Sequence, residues 1–327
     1  MPYARRRVVE DVLSPTNRQV NLPRDALIDS ITLMLEITLS NSDTANAQSA
    51  TIEEILKAFS SIRVISDGSN THVSLPGDML LLTNYYDYQG KTPKLSDTVS
   101  VPAGGTATAK IPLVIDFGDI HAFLKDSLVM VIDYTKTVNT NISIADFTGK
   151  MSLREVVFLS EEEYLDIYGP NGERIVEPKV YTIIKSFDVL SETKPVVSLP
   201  VGTLLARGFV VTEDTSGALA DVVDKLAIAS TRGALETLYE EYWDVIQVKD
   251  KYEYNVDPLT GVGIIDYGAE ITGDGVGLNM LDAQVGDVVL KLKTTAAGKL
   301  IYISHEYVPA NPEALLAGVL PVEEVEA

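Results

Sequence analysis

At 327 residues, with 46% hydrophobic and 22% charged side chains, the chain is long enough for two cores and too apolar for a disordered polymer. A formal charge of −21 argues against binding nucleic-acid phosphate through the bulk of the surface, and the lack of cysteine excludes disulfides and thiolate chemistry. The start has no apolar leader core and no run approaches the roughly 20 apolar residues of a membrane span, so a soluble protein not routed by a cleaved leader is expected.

The first residues, MPYARRRVV, place Arg5, Arg6 and Arg7 on a basic arm that leads into a first strand within residues 1–14. Such an arm suits contact with acidic lipid or genome, the alternative being an ordinary flexible end. Strand signals follow near 6–13, 30–40, 61–66, 71–75, 78–84, 106–117, 126–135, 141–146 and 152–159. The clearest is Ile31, Leu33, Leu35, Ile37 and Leu39, which alternate with residues able to face elsewhere, the period of a half-buried strand. Asp67-Gly68 between two alternating runs predicts a hairpin turn, and Pro112 within TATAKIPLVIDF predicts an edge or a bulge.

Gly169-Pro170-Asn171-Gly172 breaks any regular element, so residues 161–180 read as a linker between a first unit at 15–160 and a second at 181–310. The second unit has strand signals near 180–190, 203–212, 222–230, 244–254, 262–268, 286–293 and 299–307. Helices are expected in parts of 51–59, 159–167 and 234–243. A further one is expected in the final segment 311–327, where NPEALLAGVL offers Asn311 as N-cap, Pro312 at the first helical position and Glu313 in the first turn. Leu315, Leu316, Val319 and Leu320 share one face of that helix, which predicts that it docks in an assembly. The acidic end after it is expected to be solvated.

The chain nearly repeats itself. DVLSPTNRQVNLP at 11–23 and DVLSETKPVVSLP at 188–200 are identical at eight of thirteen positions, at an offset of 177. Both are followed by an apolar extended run, then an amphipathic stretch (51–59 and 218–227), then an aromatic-acidic segment (80–88 and 238–246). Repetition of the whole order predicts two tandem copies of one domain. Many short strands, turn signals about every ten residues and little helix make each copy a β-sandwich or barrel, with an eight-stranded jelly roll as the leading fold.

Catalytic signatures are sparse. His72, His121 and His305 are far apart in sequence and form no metal-binding pattern, so surface or strand-edge positions are expected. There is no G-x-S-x-G elbow and no Walker loop. GDGVGLN at 273–279 reads as a loop, and Asp266, Asp274 and Asp282 lack the ligand order of an EF-hand. The pairs Glu53-Glu54 and Glu240-Glu241, and the run Glu161 to Glu163, read as solvated acids. Trp243, with Tyr239 and Tyr242, reads as an apolar face packed on its own barrel rather than a sugar platform.

The order of basic arm, LP-led long strand, ISDG hairpin, LPGDMLLLTNYYDY, GTATAKIPLVIDFGD and a second copy after SLPVGTLLARGF resembles the double jelly-roll major capsid proteins of tailless icosahedral viruses with an internal membrane. The resemblance covers 8–310. It implies an all-β chain of two tandem eight-stranded jelly-roll β-barrels with a few short helices. It further implies a homotrimer forming a pseudo-hexameric capsomer, neighbouring capsomers and vertex or minor capsid proteins as partners, and chain ends turned toward the membrane or neighbours. Synthesis in the host cytoplasm, residence in the virion, no specific nucleic-acid binding, no cofactor or metal and no enzymatic role go with that reading. Two alternatives remain: a non-capsid virion spike or adhesion protein, and a two-domain jelly-roll carbohydrate-active hydrolase with a cleft between barrels lined by acids such as Glu240 or Glu241 and by Trp243.

Overall fold

Alternating apolar residues pair into two barrels of one connectivity. The computed structural model describes residues 2–170, 174–230, 237–273, 277–280 and 288–310. The first copy holds β1 (Tyr3–Leu13), β2 (Gln19–Asn21), β3 (Leu27–Asn41), β4 (Gln48–Thr51), β5 (Ser61–Ser66), β6 (Asn70–Leu75), β7 (Thr98–Val101), β8 (Thr106–Ile115), β9 (Leu128–Asp133) and β10 (Ile142–Val157). The second holds β11 (Val176–Phe187), β12 (Lys194–Ser198), β13 (Leu204–Glu213), β14 (Val223–Ser230), β15 (Thr237–Tyr242), β16 (Val262–Asp266), β17 (Leu278–Asn279), β18 (Val288–Thr294) and β19 (Gly298–Pro309). Helices α1 (Ile52–Lys57), α2 (Gly77–Asp87), α3 (Glu161–Tyr168) and α4 (Trp243–Tyr254) sit in the connections.

In the first copy the sheet β1-β10-β3-β8 faces the strands β2-β9-β5-β6, while the small pair β4-β7 stands apart. In the second, β11-β19-β13-β16 faces β12-β18-β14-β15. With β4, β7 and β17 set aside, both copies order their eight main strands 1-8-3-6 over 2-7-4-5, which is a jelly roll. The echoed phrase covers the turn between the first and second strands and the second strand of each barrel, starting within the last residues of β1 and just after the end of β11. The third strands, β3 and β13, then begin at Leu27 and Leu204, the same 177 residues apart.

The barrels are joined by hydrogen bonds. β6 runs parallel to β11, with Val73 opposite Val180 and Ser74 opposite Tyr181, so nine strands form one sheet across both copies. The apolar core of the first barrel extends onto the second, taking in Phe209, Val211, Val262, Ile264, Ile301 and Ile303. The second barrel keeps its own interior around Leu226, Ile228, Leu290, Leu292 and Tyr302.

Local signals explain several elements. Thr51 and Glu54 close a reciprocal capping box on α1, and Asp67 and Gly68 take the positive φ of a tight hairpin turn. Pro112 lies on β8, an edge strand of its sheet.

Other expectations are corrected. Residues 78–84, expected as a strand, belong to α2: the run MLLLTNYY has no alternation because its helix is buried on every side, between its own barrel and the other. Residues 244–254 are α4 rather than a strand, with Trp243, Ile246 and Asp250 buried at helical spacing, and residues 237–242 of the helix expected at 234–243 are strand β15. Segments 141–146 and 152–159 are one strand, β10, which absorbs the irregularity with a bulge between Ile144 and Asp146. β11 begins at Val176, inside the segment read as a linker. The expected C-terminal helix with Leu315, Leu316, Val319 and Leu320, and Asp274 and Asp282, lie outside the described residues.

Candidate assembly surfaces

The three arginines of the basic arm are strand residues, each paired in register with β10. Arg5 donates from Nε to Glu155 Oε2 at 2.6 Å and from Nη2 to Asp25 at 2.9 Å. Arg7 also pairs with Asp25 and reaches Glu155 at 3.4 Å. Glu155 is fully buried, so these guanidiniums neutralise an interior carboxylate. Arg6 alone of the three is exposed.

Beside them lies an apolar end of the molecule. Tyr3 pairs with Val157 and Val176 with Pro309, so both ends of the described chain flank the segment 158–175 that contains α3. Ser160 caps α3, whose Tyr164 and Tyr168 meet His121, Phe123 and Phe158 edge to face. A cavity of about 540 Å³ opens there between Ala26, Phe123, Val156, Phe158, Tyr164 and Leu165. Leu124, Leu159 and Ile167 are exposed around it.

The seam between barrels is polar at its margins and apolar within. Tyr85 donates its hydroxyl to Asp257 O at 2.9 Å, and the Leu259 amide donates to Tyr86 Oη at 3.0 Å. Tyr86 also meets Phe209 and Tyr254 edge to face. Asp87 pairs with Arg207, whose guanidinium lies 4.7 Å above the Phe209 ring. Lys125 pairs with Glu177 at 2.7 Å. The sequence singles out Tyr85, Tyr86 and Asp87 only as part of the aromatic-acidic segment 80–88, with no role across barrels assigned to them. The one available signal was the density of tyrosine and aspartate at 84–88.

The histidines are not surface residues, contrary to expectation: all three are buried. His305 Nε2 bonds Phe117 O at 2.7 Å across the barrels, His121 Nδ1 meets Tyr164 Oη at 3.0 Å, and His72 Nε2 meets Ser66 Oγ at 2.9 Å. Burial lowers the basicity of each, to about 3 for His305 and about 4 for His121. They are neutral packing groups. Each lies next to aromatic or hydroxyl neighbours rather than further metal ligands, and among the described residues no three His, Asp or Glu side chains gather as a metal site.

Trp243 is buried in the second core, and its indole donates to Asp221 at 2.9 Å. Glu240 extends toward Lys225 at 3.7 Å, and Glu241 accepts from the Tyr242 amide. Among the described residues no helix is long and apolar enough to cross a membrane.

One surface remains open on α4. Val245, Val248 and Tyr252, at spacings of three and four, are 46%, 55% and 80% exposed. Their periodicity was readable but was masked by the strand expected there.

The same two-barrel architecture occurs in solved structures of viral coat proteins. The chain is similar to the major capsid protein of STIV, with 20% identity, a TM-score of 0.85 and coverage of 96% of this chain and 99% of that one. It is likewise similar to a chain of the atomic structure of Sulfolobus Turreted Icosahedral Virus (21% identity, TM-score 0.84, 97% and 94% covered). The major capsid protein of bacteriophage PM2 matches more distantly (11%, TM-score 0.58, 94% and 98% covered). Neither a protein-family model nor a curated protein sequence matches the chain. The fold is thus the double jelly roll of major capsid proteins, the fold that the sequence resemblance implies.

Proposed function

We propose that this chain is a structural major capsid protein that self-associates into trimeric, pseudo-hexameric capsomers tiling an icosahedral shell. The observation that carries the reading is end-to-end similarity to a major capsid protein, 96% of this chain on 99% of the other, with no large inserted or missing domain. Two barrels of one connectivity, fused side by side, give each chain two of the six corners of a hexagonal tile, so three chains complete it. The interior supports this role: groups that would serve catalysis elsewhere, the histidines and Trp243, are held in packing.

The virion is the expected location, after synthesis in the host cytoplasm. Vertex or minor capsid proteins and an internal membrane are the expected further partners. Convergence of the described chain ends near α3, with exposed Leu124, Leu159 and Ile167, supports contact at that end. Of the three arginines, Arg6 is the one left to meet acidic lipid or genome. Light scattering of the purified protein, followed by negative-stain imaging, tests the proposal. A mass near three chains and closed shells or hexagonal sheets support it; a monomer that forms neither at any concentration overturns it.

A further inference from the structure

α2 and α4 occupy the same connection in the two barrels, between the fifth and sixth main strands. Aligned from their first residues, DMLLLTNYYDY and DVIQVKDKYEY match Asp78 with Asp244, Tyr86 with Tyr252 and Tyr88 with Tyr254. Geometry fixes this alignment independently. Asn84 accepts from the Val114 amide on β8 at 2.7 Å, and its counterpart Asp250 accepts from the Ile264 amide on β16 at 2.9 Å. Val114 and Ile264 are themselves counterparts, since they lie opposite Thr32 and Phe209, which are 177 residues apart.

The two helices differ in what covers them. Met79, Leu82 and Tyr86 of α2 are buried in the cluster shared with the second barrel, where they join Phe209, Val211 and Ile264. Their counterparts on α4 are Val245, Val248 and Tyr252, the exposed stripe. Among the described residues no third barrel receives them.

The receiving face is present on the first barrel. The counterparts of Phe209 and Val211 are Thr32 and Met34. Around them, Val114 and Pro112 stand where the second barrel has Ile264 and Val262. Met34 is 36% exposed and opposes Lys150, while Pro112 opposes Met34 from β8. Lys110 and Lys150 are both about two-thirds exposed, and they share one carboxylate, Glu36. This leaves positive charge on a strongly acidic chain, suited to Asp244 and Glu253, which are exposed beside the α4 stripe.

We infer that Val245, Val248 and Tyr252 of α4 dock on the Thr32, Met34, Pro112 and Val114 face of a second copy, repeating between chains the contact that α2 makes within one. The contact is head to tail, and each chain both gives and receives it. The inference rests on the capsomer reading and names the interface that closes it.

Combining Val248→Asp with Tyr252→Ser alters only exposed positions, so the fold is retained and checked by circular dichroism and the melting temperature. Light scattering is expected to show wild type at about three chains and the variant at one. A variant that stays at three chains overturns this interface while leaving the capsomer standing. A wild type that stays at one chain under shell-forming conditions overturns both. Because the chain has no cysteine, Thr32→Cys with Tyr252→Cys in one molecule, the counterparts of the Phe209 and Tyr86 contact, provides a second test. Oxidation should link chains into products of up to three on a non-reducing gel, with neither single variant reaching three. Absence of linked chains from a trimeric double variant rejects the contact.

Discussion

Arg207 of the second barrel grips Asp87 of the first with two hydrogen bonds, Nη1 to Oδ1 at 2.6 Å and Nη2 to Oδ2 at 3.2 Å. The pair is mostly shielded from water, and Asp87 ends the helix that fills the seam. Truncation would strand a shielded guanidinium. Asp87→Ala is therefore expected to lower stability by roughly 2–4 kcal/mol. A urea midpoint within error of wild type would show that the pair contributes little.

Asp250 does for α4 what Asn84 does for α2, but with an ionisable group. Asn84 also donates to Val114 O at 2.7 Å, whereas Asp250 Oδ1 is buried without a partner. Burial raises the Asp250 carboxyl to about 7, and the nearby charge of Lys249 offsets only part of that rise. The folded state therefore binds a proton that the unfolded chain releases near pH 4. Its contribution is fully present below about pH 4 and is lost as pH rises toward 7, at up to about 1.4 kcal/mol per pH unit. Asp250→Asn should remove this slope, as chemical unfolding at several pH values would reveal. An unchanged slope would mean that the carboxyl ionises normally.

The buried histidines act in the opposite direction. His121 and His305 stay neutral in the fold down to about pH 4 and about pH 3, while the unfolded chain takes up their protons near pH 6.5. Their stabilisation is present above pH 6.5 and is lost on acidification. His121→Phe should reduce the acid-side slope between pH 6.5 and 4 by about 1.4 kcal/mol per pH unit. Equal slopes for variant and wild type would contradict the assignment.

Arg5 and Arg6 separate structural from surface charge. Arg5→Ala leaves buried Glu155 with only the longer Arg7 contact and is expected to cost roughly 1–3 kcal/mol. Arg6→Ala, at an exposed position, is expected to change stability by less than about 0.5 kcal/mol. Thermal unfolding of both variants decides between these roles; equal losses would refute the distinction.

The jelly-roll connectivity was legible because alternation is a local property. Ile31 to Leu39 reads as a strand without knowledge of its neighbours, and the echo at 11–23 and 188–200 marks the same turn in each barrel. α2 was not legible, because burial of Met79, Leu82 and Tyr86 on all sides comes from a barrel whose residues lie more than a hundred positions later. The histidines were misjudged for the same reason: His305 is enclosed by Phe117 and Arg207, which no nearby sequence announces. α4 carried a helical period that its tyrosines and valines, good strand formers, obscured.

The parallel pairing of Val73 with Val180 and Ser74 with Tyr181 has a mechanical consequence. Tilting one barrel against the other would tear main-chain hydrogen bonds from a sheet of nine strands. The angle within a chain is consequently stiff. If such chains assemble into a curved array, the curvature falls to the contacts between them.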